Sequence, residues 1–163
     1  MAKKRITSPQ HFVPSKIVSG GQTGVDRAGL EAAMALGIDH GGWCPAGRLA
    51  EDGTVPSRYQ LDEMSTADYP TRTQQNVIDS DATLILYDTR LKGGTLLTRR
   101  ICQRLDKPFL LVRLGRDEVA DVHRWLDEHK PATLNVAGPR ETSSPGIQEQ
   151  CEGFLVEVFT GRR

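Results

Sequence analysis

The sequence predicts an α/β fold in which a doubly wound, mainly parallel sheet of about five strands carries helices on both faces. Short apolar runs alternate with amphipathic helical stretches along the chain, as in strands joined by crossover helices. The clearest apolar runs do not alternate with polar residues, as expected of parallel strands buried on both faces. A length of 163 residues fits one domain of this kind and can bury a full core.

The first half of the chain begins with an arm and one strand–helix unit. Residues 1–14 contain basic residues but no long apolar run, and we expect them to form an exposed arm. The single ligand-binding domain is expected over residues 15–163. Residues 16–19 predict a strand and residues 24–36 a helix, whose small side chains favour close packing on the sheet. Gly37 follows this helix, where a glycine commonly ends one.

The segment 39–71 shows no sustained periodicity and is rich in glycine and proline. A connection this long inside a compact domain is usually functional or disordered. Its aromatic residues Trp43, Tyr59 and Tyr69 favour an ordered, packed segment. We therefore expect it to have a functional role.

Regular structure resumes in the second half of the chain. Apolar runs bounded by turn residues predict three strands, at 82–87, 108–114 and 133–136. Helical periodicity predicts four helices, at 73–80, 94–105, 117–130 and 147–159.

Charge and cysteine content exclude several classes of protein. Lysine plus arginine equals aspartate plus glutamate at 21 each, so no overall field draws the chain to nucleic acid or to an anionic membrane. No stretch approaches the ~20 apolar residues of a membrane span. The three cysteines, Cys44, Cys102 and Cys151, lack a CxxC spacing and indicate neither a disulfide framework nor a zinc site. We expect a reduced, cytoplasmic location and no bound metal.

The most distinctive motif is a glycine-rich turn between the first strand and the first helix, with the sequence SGGQTGVD at residues 19–26. Glycine lets a backbone turn tightly and approach a ligand, so that amides at a helix N-terminus can face an anion. The turn is neither GxGxxG nor a P-loop. It predicts a phosphate-binding loop formed by Ser19, Gly20, Gly21, Gln22, Thr23, Gly24 and Asp26.

Two further strand–helix junctions have the same character. Gly93, Gly94 and Thr95 follow the strand at 82–87, and Gly138 and Arg140 follow the strand at 133–136. Ligands of open parallel sheets bind beyond the carboxyl ends of the strands. We therefore expect the three loops to lie at one edge of the sheet.

One loop alone cannot hold a ligand. A helix N-terminus contributes about 1 kcal/mol to anion binding, and each charge-assisted hydrogen bond roughly 1.5–3 kcal/mol. Association costs ~4 kcal/mol or more, whereas micromolar affinity needs a net of about 8 kcal/mol. Several loops must therefore converge on one phosphate-bearing ligand.

Other polar residues are weaker candidates. Arg72 is placed where a bidentate contact to phosphate is feasible, and Thr73 and Asn76 lie one turn apart, although a helix cap explains the threonine equally well. Asp26 is either a complement to the helix dipole or an acceptor for a ribose hydroxyl or a heterocycle amino group. Glu51 and Asp52 are interpreted as solvated turn residues.

Five motifs taken together resemble the putative molybdenum carrier family. They are SGGQTGVDRAG at 19–29, GGWCPAGR at 41–48, TRTQQN at 71–76, GGT at 93–95 and LNVAGPR at 134–140. The resemblance covers the chain from about residue 16 onward. It implies a Rossmann-like fold, circularly permuted relative to its superfamily, and a homo-oligomer (dimer or tetramer). The implied ligand is molybdenum cofactor (molybdopterin) or a nucleotide-like molecule.

The same superfamily includes cytokinin-activating phosphoribohydrolases, which carry a PGGxGTxxE motif with a glutamate acting at the N-glycosidic bond. In this chain Thr98 stands where that glutamate would be. The resemblance therefore favours a binding or carrier protein over an enzyme, and no catalytic residue is assigned. A nucleotide-processing enzyme such as a phosphoribohydrolase and a nucleotide-sensing module stay open as alternatives.

Overall fold

The computed structural model describes residues 11–160, and its centre is a sheet of five parallel strands. These strands are β1 (Lys16–Val18), β2 (Asp39–Gly41), β7 (Ala82–Tyr87), β8 (Phe109–Arg113) and β9 (Thr133–Ala137). The helices are α1 (Val25–Ala35), α2 (Tyr69–Ile78), α3 (Gly93–Arg104), α4 (Val119–His129) and α5 (Ile147–Phe159). The predicted α/β class and its five-stranded parallel sheet are confirmed.

The strand order is β2-β1-β9-β7-β8, so the last strand of the chain lies at the centre of the sheet. Leu134 of β9 pairs with Ile17 of β1 on one side and with Ala82 of β7 on the other. Counted from β9 onward and then from β1, this order reads 3-2-1-4-5, which is the doubly wound order opened at a different point. The architecture is therefore a circular permutation of that fold.

Helices cover both faces of the sheet. Helices α1, α4 and α5 pack together over one face, and α2 and α3 pack against each other on the opposite one. Close packing of α1 depends on Gly29, because a Cβ there would lie 3.0 Å from the side chain of Val136. No helix among residues 11–160 is long and apolar enough to cross a membrane.

The segment 39–71 is ordered, and it supplies a sheet strand that the sequence did not predict, β2. Its remainder forms two small ladders, β3 (Trp43–Cys44) with β6 (Asp62–Glu63) and β4 (Leu49–Ala50) with β5 (Gly53–Thr54). Arg48 holds the segment together by donating to the carbonyls of Val55, Pro56, Tyr59 and Leu61.

Two predicted boundaries need correction. Helix α2 begins at Tyr69 rather than Thr73, because Pro70 lies in its first turn, where a proline is favourable. The predicted exposed arm is wrong over residues 11–14, since Val13 and Pro14 are buried and Phe12 packs against the core. Residues 1–10 of that arm lie outside the described residues.

We predict that Gly138→Ala destabilises the protein strongly. A Cβ at Gly138 would lie 2.2 Å from the carbonyl oxygen of Leu86 and 2.5 Å from Val25, so β7, β9 and α1 would have to separate. We expect a loss of about 2 kcal/mol or more in the free energy of unfolding, measured in urea. The control, Gly153→Ala in α5, meets no atom within 4 Å and should stabilise by roughly 0.5–1 kcal/mol. Equal effects of the two substitutions would contradict this packing argument.

Candidate functional site

The three predicted loops meet at the carboxyl edge of the sheet around a cleft of about 560 Å³. This volume is within the usual range for small-molecule sites. The cleft is lined by these predicted residues: Gln22, Asp26, Arg72, Thr73, Asn76, Gly93, Gly94, Thr95, Gly138 and Arg140. Ser19, Gly20, Gly21, Thr23 and Gly24 are not among the lining residues. Nine other lining residues were not predicted as site residues: Tyr69, Pro70, Lys92, Leu97, Thr98, Asn135, Ala137, Pro139 and Ser143.

The glycine-rich turn lies behind the cleft, and most of its amides donate hydrogen bonds within the protein. The N–H of Gly21 donates to Ser19 Oγ, that of Gln22 to Asp26 Oδ2, and that of Thr23 to Gln22 Oε1. The N–H of Gly24 donates to Gln148, and Val25 N–H donates to the carbonyl of Pro139. The amides from Gly21 to Val25 therefore already have acceptors within the protein, whereas the sequence led us to expect them to face an anion.

Gly20 and Gly24 instead permit close approach. A Cβ at Gly24, where φ is 83°, would lie 2.3 Å from the carbonyl oxygen of Pro139. The glycine-rich turn (the first loop) and the loop after β9 (the third loop) therefore touch there. A Cβ at Gly20 would lie 1.4 Å from Arg72 Nη1, so its absence makes room for the guanidinium. Ser19 is fully buried and donates to the carbonyl of Asp26 at 2.9 Å.

Asp26 and Arg72 form a buried ion pair beside this turn. Arg72 Nη1 donates to Asp26 Oδ2 at 3.3 Å, and the two side chains are 12% and 8% exposed. Burial raises the pKa of Asp26 above its usual value, although the Arg72 guanidinium opposes this shift. Arg72 Nε is buried without a hydrogen-bond acceptor among the described residues.

Glu51 joins the loop after β9 to the glycine-rich turn by hydrogen bonds. This contradicts the interpretation of Glu51 as a solvated turn residue. Its carboxylate accepts hydrogen bonds from the hydroxyl of Thr23 and from both the N–H and hydroxyl of Thr142. Arg140 Nε lies 3.6 Å from Glu51 Oε2. Burial acts to raise the pKa of Glu51, but the hydrogen bonds from Thr142 and Thr23 outweigh it and lower the pKa.

Asp52 is also engaged rather than free. It forms a bidentate pair with Arg27, at 2.6 and 2.8 Å, and these hydrogen bonds lower the pKa of Asp52. Arg27 Nε in turn donates to the carbonyl of Gly21 at 3.0 Å. The segment 39–71 thus supports the first loop through two carboxylates.

Asn76 lines the cleft but has a structural task. Its side-chain oxygen accepts from Trp43 N–H at 2.8 Å, and its amide nitrogen donates to the Trp43 carbonyl at 2.9 Å. These two bonds fix β3 against α2. Cys44, which follows, is fully buried and does not line the cleft, and burial raises the pKa of its thiol.

The start of α3 is the part of the cleft wall with free amides. The helix has no side-chain cap, and among residues 11–160 neither Gly93 N–H nor Gly94 N–H finds an acceptor. Both glycines are exposed, and no atom lies within 4 Å of a Cβ placed on either. Thr95 is buried behind them, and Lys92 precedes them. The start of α3 therefore has the free backbone donors of an uncapped helix N-terminus, a group that can bind an anion.

The family model of the Circularly permutated YpsA SLOG family matches residues 17–159. The chain belongs to this family. Its permuted strand order agrees with that description.

A solved structure of high similarity is that of a protein from Syntrophus aciditrophicus called "Putative molybdenum carrier protein". It is 45% identical in sequence, and the match covers 93% of this chain and 98% of that one with a TM-score of 0.88. The resemblance to the putative molybdenum carrier family is thereby confirmed. No curated protein matches the chain.

We predict that Arg72→Met lowers stability more at pH 8 than at pH 5. The pKa of Asp26 is already raised in the folded state, so its contribution to stability falls as the pH rises from the unfolded value through the folded one. Removing Arg72 raises the pKa of Asp26 further, so the protein continues to lose stability up to a higher pH. We expect a loss of about 3 kcal/mol at pH 8 in urea unfolding.

Two variants control this experiment. Gly20→Ala should give a similar pH-dependent loss, because its Cβ takes the place of Arg72 Nη1. The double variant Arg72→Met with Asp26→Asn should show no such pH dependence. A loss that is the same at both pH values would contradict the role of the ion pair.

We predict that Glu51→Gln destabilises the protein at neutral pH and not in acid. The pKa of Glu51 is lowered in the folded state, so its contribution is present above the unfolded pKa and is lost as the pH falls through the folded one. We expect the variant to be less stable by about 1–2 kcal/mol at pH 7. Thr142→Val, which removes one hydrogen bond to Glu51, should cost less. A difference in stability between wild type and Glu51→Gln that stays the same from neutral pH down through the acid range would contradict this role of Glu51.

Proposed function

We propose that this chain binds and carries a phosphate-bearing small molecule, either molybdenum cofactor or a nucleotide-like ligand, with the phosphate at the start of α3. The observation that carries the proposal is the uncapped N-terminus of α3, whose two exposed glycine amides open on the cleft. The name of the 45% identical structure, a putative molybdenum carrier protein, supports the cofactor assignment.

Charge around this helix N-terminus favours an anion. Lys92 and Arg140 line the cleft beside Gly93 and Gly94, and Ser143 adds a hydroxyl from the third loop. A helix N-terminus supplies about 1 kcal/mol, and two or three charge-assisted hydrogen bonds supply roughly 1.5–3 kcal/mol each. These contributions offset the association cost of ~4 kcal/mol, and contacts with the rest of the ligand must supply most of the net binding free energy.

The polar groups of the cleft suit binding better than hydrolysis. Asp26 is the single carboxylate lining the cleft within the described residues, and it is engaged by Arg72. Thr98, which replaces the glutamate of the phosphoribohydrolase motif, donates its hydroxyl to the carbonyl of Gly94 at 2.9 Å. A homo-oligomeric state and a cytoplasmic location stay predictions of the sequence.

The proposal predicts a co-purifying or added ligand. Protein expressed in a host that makes molybdenum cofactor should yield pterin fluorescence after oxidation, together with molybdenum by elemental analysis. Protein from a cofactor-deficient host should bind added cofactor or a nucleoside monophosphate in calorimetric titrations, without releasing free base on chromatography. The proposal would be contradicted if the protein contained neither pterin nor molybdenum and bound none of these ligands. Release of free base would favour the alternative of a nucleotide-processing enzyme.

A single substitution tests the placement of the phosphate. Gly94→Asp adds a negative charge at the start of α3, where the fold has room for a side chain, and it should weaken binding roughly tenfold or more. Gly153→Asp, which is exposed in α5, is the matched control and should leave binding unchanged. Equal affinity of the two variants would place the phosphate elsewhere.

A further inference from the structure

Asp26, which together with Gln22 forms what we call the floor of the cleft, has a carboxylate oxygen that accepts no hydrogen bond within the described residues. Asp26 Oδ2 already accepts from Gln22 N–H at 3.2 Å and from Arg72 Nη1 at 3.3 Å. Nothing among residues 11–160 donates to Asp26 Oδ1, and this atom is not among the buried atoms that lack a partner. Since Asp26 lines the cleft, Oδ1 is open to a ligand. An ionised carboxylate oxygen can only accept, so it needs a donor from the ligand.

An unused donor lies on the same turn. Gln22 Oε1 accepts from Thr23 N–H at 3.1 Å and from Glu51 N–H at 2.9 Å. These two backbone donors fix which end of the side-chain amide is oxygen, so the other end is the nitrogen Nε2. Gln22 also lines the cleft, and no group in the described part of the chain accepts from its Nε2. The floor therefore presents one acceptor and one donor from the same turn of chain.

A phosphate does not match this pair. It offers no N–H, and Asp26 repels it. The same cleft is also lined by Tyr69, Pro70 and Leu97. The Tyr69 side chain is 44% exposed, and its ring lies 5.7 Å from the Arg72 guanidinium. A flat ring can stack on such a surface, whereas a sugar hydroxyl gains little from it.

We propose that Gln22 and Asp26 recognise the edge of a planar nitrogen heterocycle that places an N–H donor next to an acceptor. Asp26 Oδ1 accepts from the ring N–H or amino group, Gln22 Nε2 donates to the adjacent ring oxygen or nitrogen, and Tyr69 packs on the ring. The phosphate of the same ligand lies at Gly93 and Gly94. This inference rests on the proposed function and adds the ligand's orientation and the residue that selects its ring.

The test compares, by calorimetry, two purine nucleotides that share the same ring skeleton, ribose and phosphate. Guanosine 5′-monophosphate has a ring N–H and an amino group next to a carbonyl, and purine riboside 5′-monophosphate lacks all three groups. We expect the first to bind the wild-type protein roughly tenfold more tightly or better, as one charge-assisted hydrogen bond implies. Adenosine 5′-monophosphate and neopterin monophosphate also present donor–acceptor edges, and their affinities show which ring is preferred.

The ratio of the two affinities separates recognition from damage to the fold. In Asp26→Asn, Gln22 N–H and Arg72 still require an oxygen at the Oδ2 position, so the amide nitrogen takes the Oδ1 position and cannot accept. The ratio should fall to about one, whereas misfolding would lower both affinities together. Gln22→Glu keeps the oxygen that Thr23 and Glu51 need but loses the donor, and it should also reduce the ratio. Gly94→Asp should weaken both ligands and keep the ratio.

The outcomes distinguish this inference from the proposed function. Tight binding of both nucleotides by the wild-type protein with a ratio near one overturns the inference and leaves the proposed function intact. The inference is also overturned if Asp26→Asn keeps the wild-type ratio of the two nucleotide affinities. Failure of every tested phosphate ligand to bind contradicts the proposed function and the inference with it.

Discussion

The carboxylate of Asp26 determines how the rest of the cleft is arranged. It lies in the first turn of α1 and accepts the N–H of Gln22 through Oδ2, so it occupies the position that an anion would take at a glycine-rich helix start. A second anion there would meet a buried negative charge. The open helix N-terminus of the cleft is instead that of α3. Because of Asp26, the two parts of the cleft differ in charge. The part at Asp26 suits a hydrogen-bond donor of a ligand, and the part at the start of α3 suits an anion.

The loop after β9, which lines the cleft, is held in place by the segment 39–71, which has little regular structure. Glu51 holds Thr23 and Thr142, and Ser144 donates to Asp88 at 3.0 Å, so the loop after β9 is bound to the first loop and to the loop after β7. Arg48 in turn fixes the segment that carries Glu51. Because these contacts are polar and partly exposed, their strength depends on pH and salt more than that of the apolar core does.

Local pattern predicted most of the fold and less of the site. The strand at 82–87 and the helix at 147–159 were predicted to the residue, because their apolar patterns are long and regular. Strand β2, Asp-His-Gly, has no such pattern and exists only through its pairing with β1. Turn chemistry pointed to the loops that line the cleft, but whether a backbone amide in them is free depends on partners such as Gln148, 124 residues from Gly24. Local sequence does not contain that information.

Circular permutation explains why binding and folding should be linked in this chain. The central strand β9 comes last, and the loop that follows it meets the turn after β1 at Gly24 and Pro139. The cleft is therefore complete only when the two ends of the described chain have come together. A ligand that bridges Asp26 and the start of α3 contacts loops that follow strands on both sides of β9. Such a ligand binds the folded state alone and stabilises it by RT ln(1 + [L]/Kd), so its presence opposes separation of the sheet at its centre.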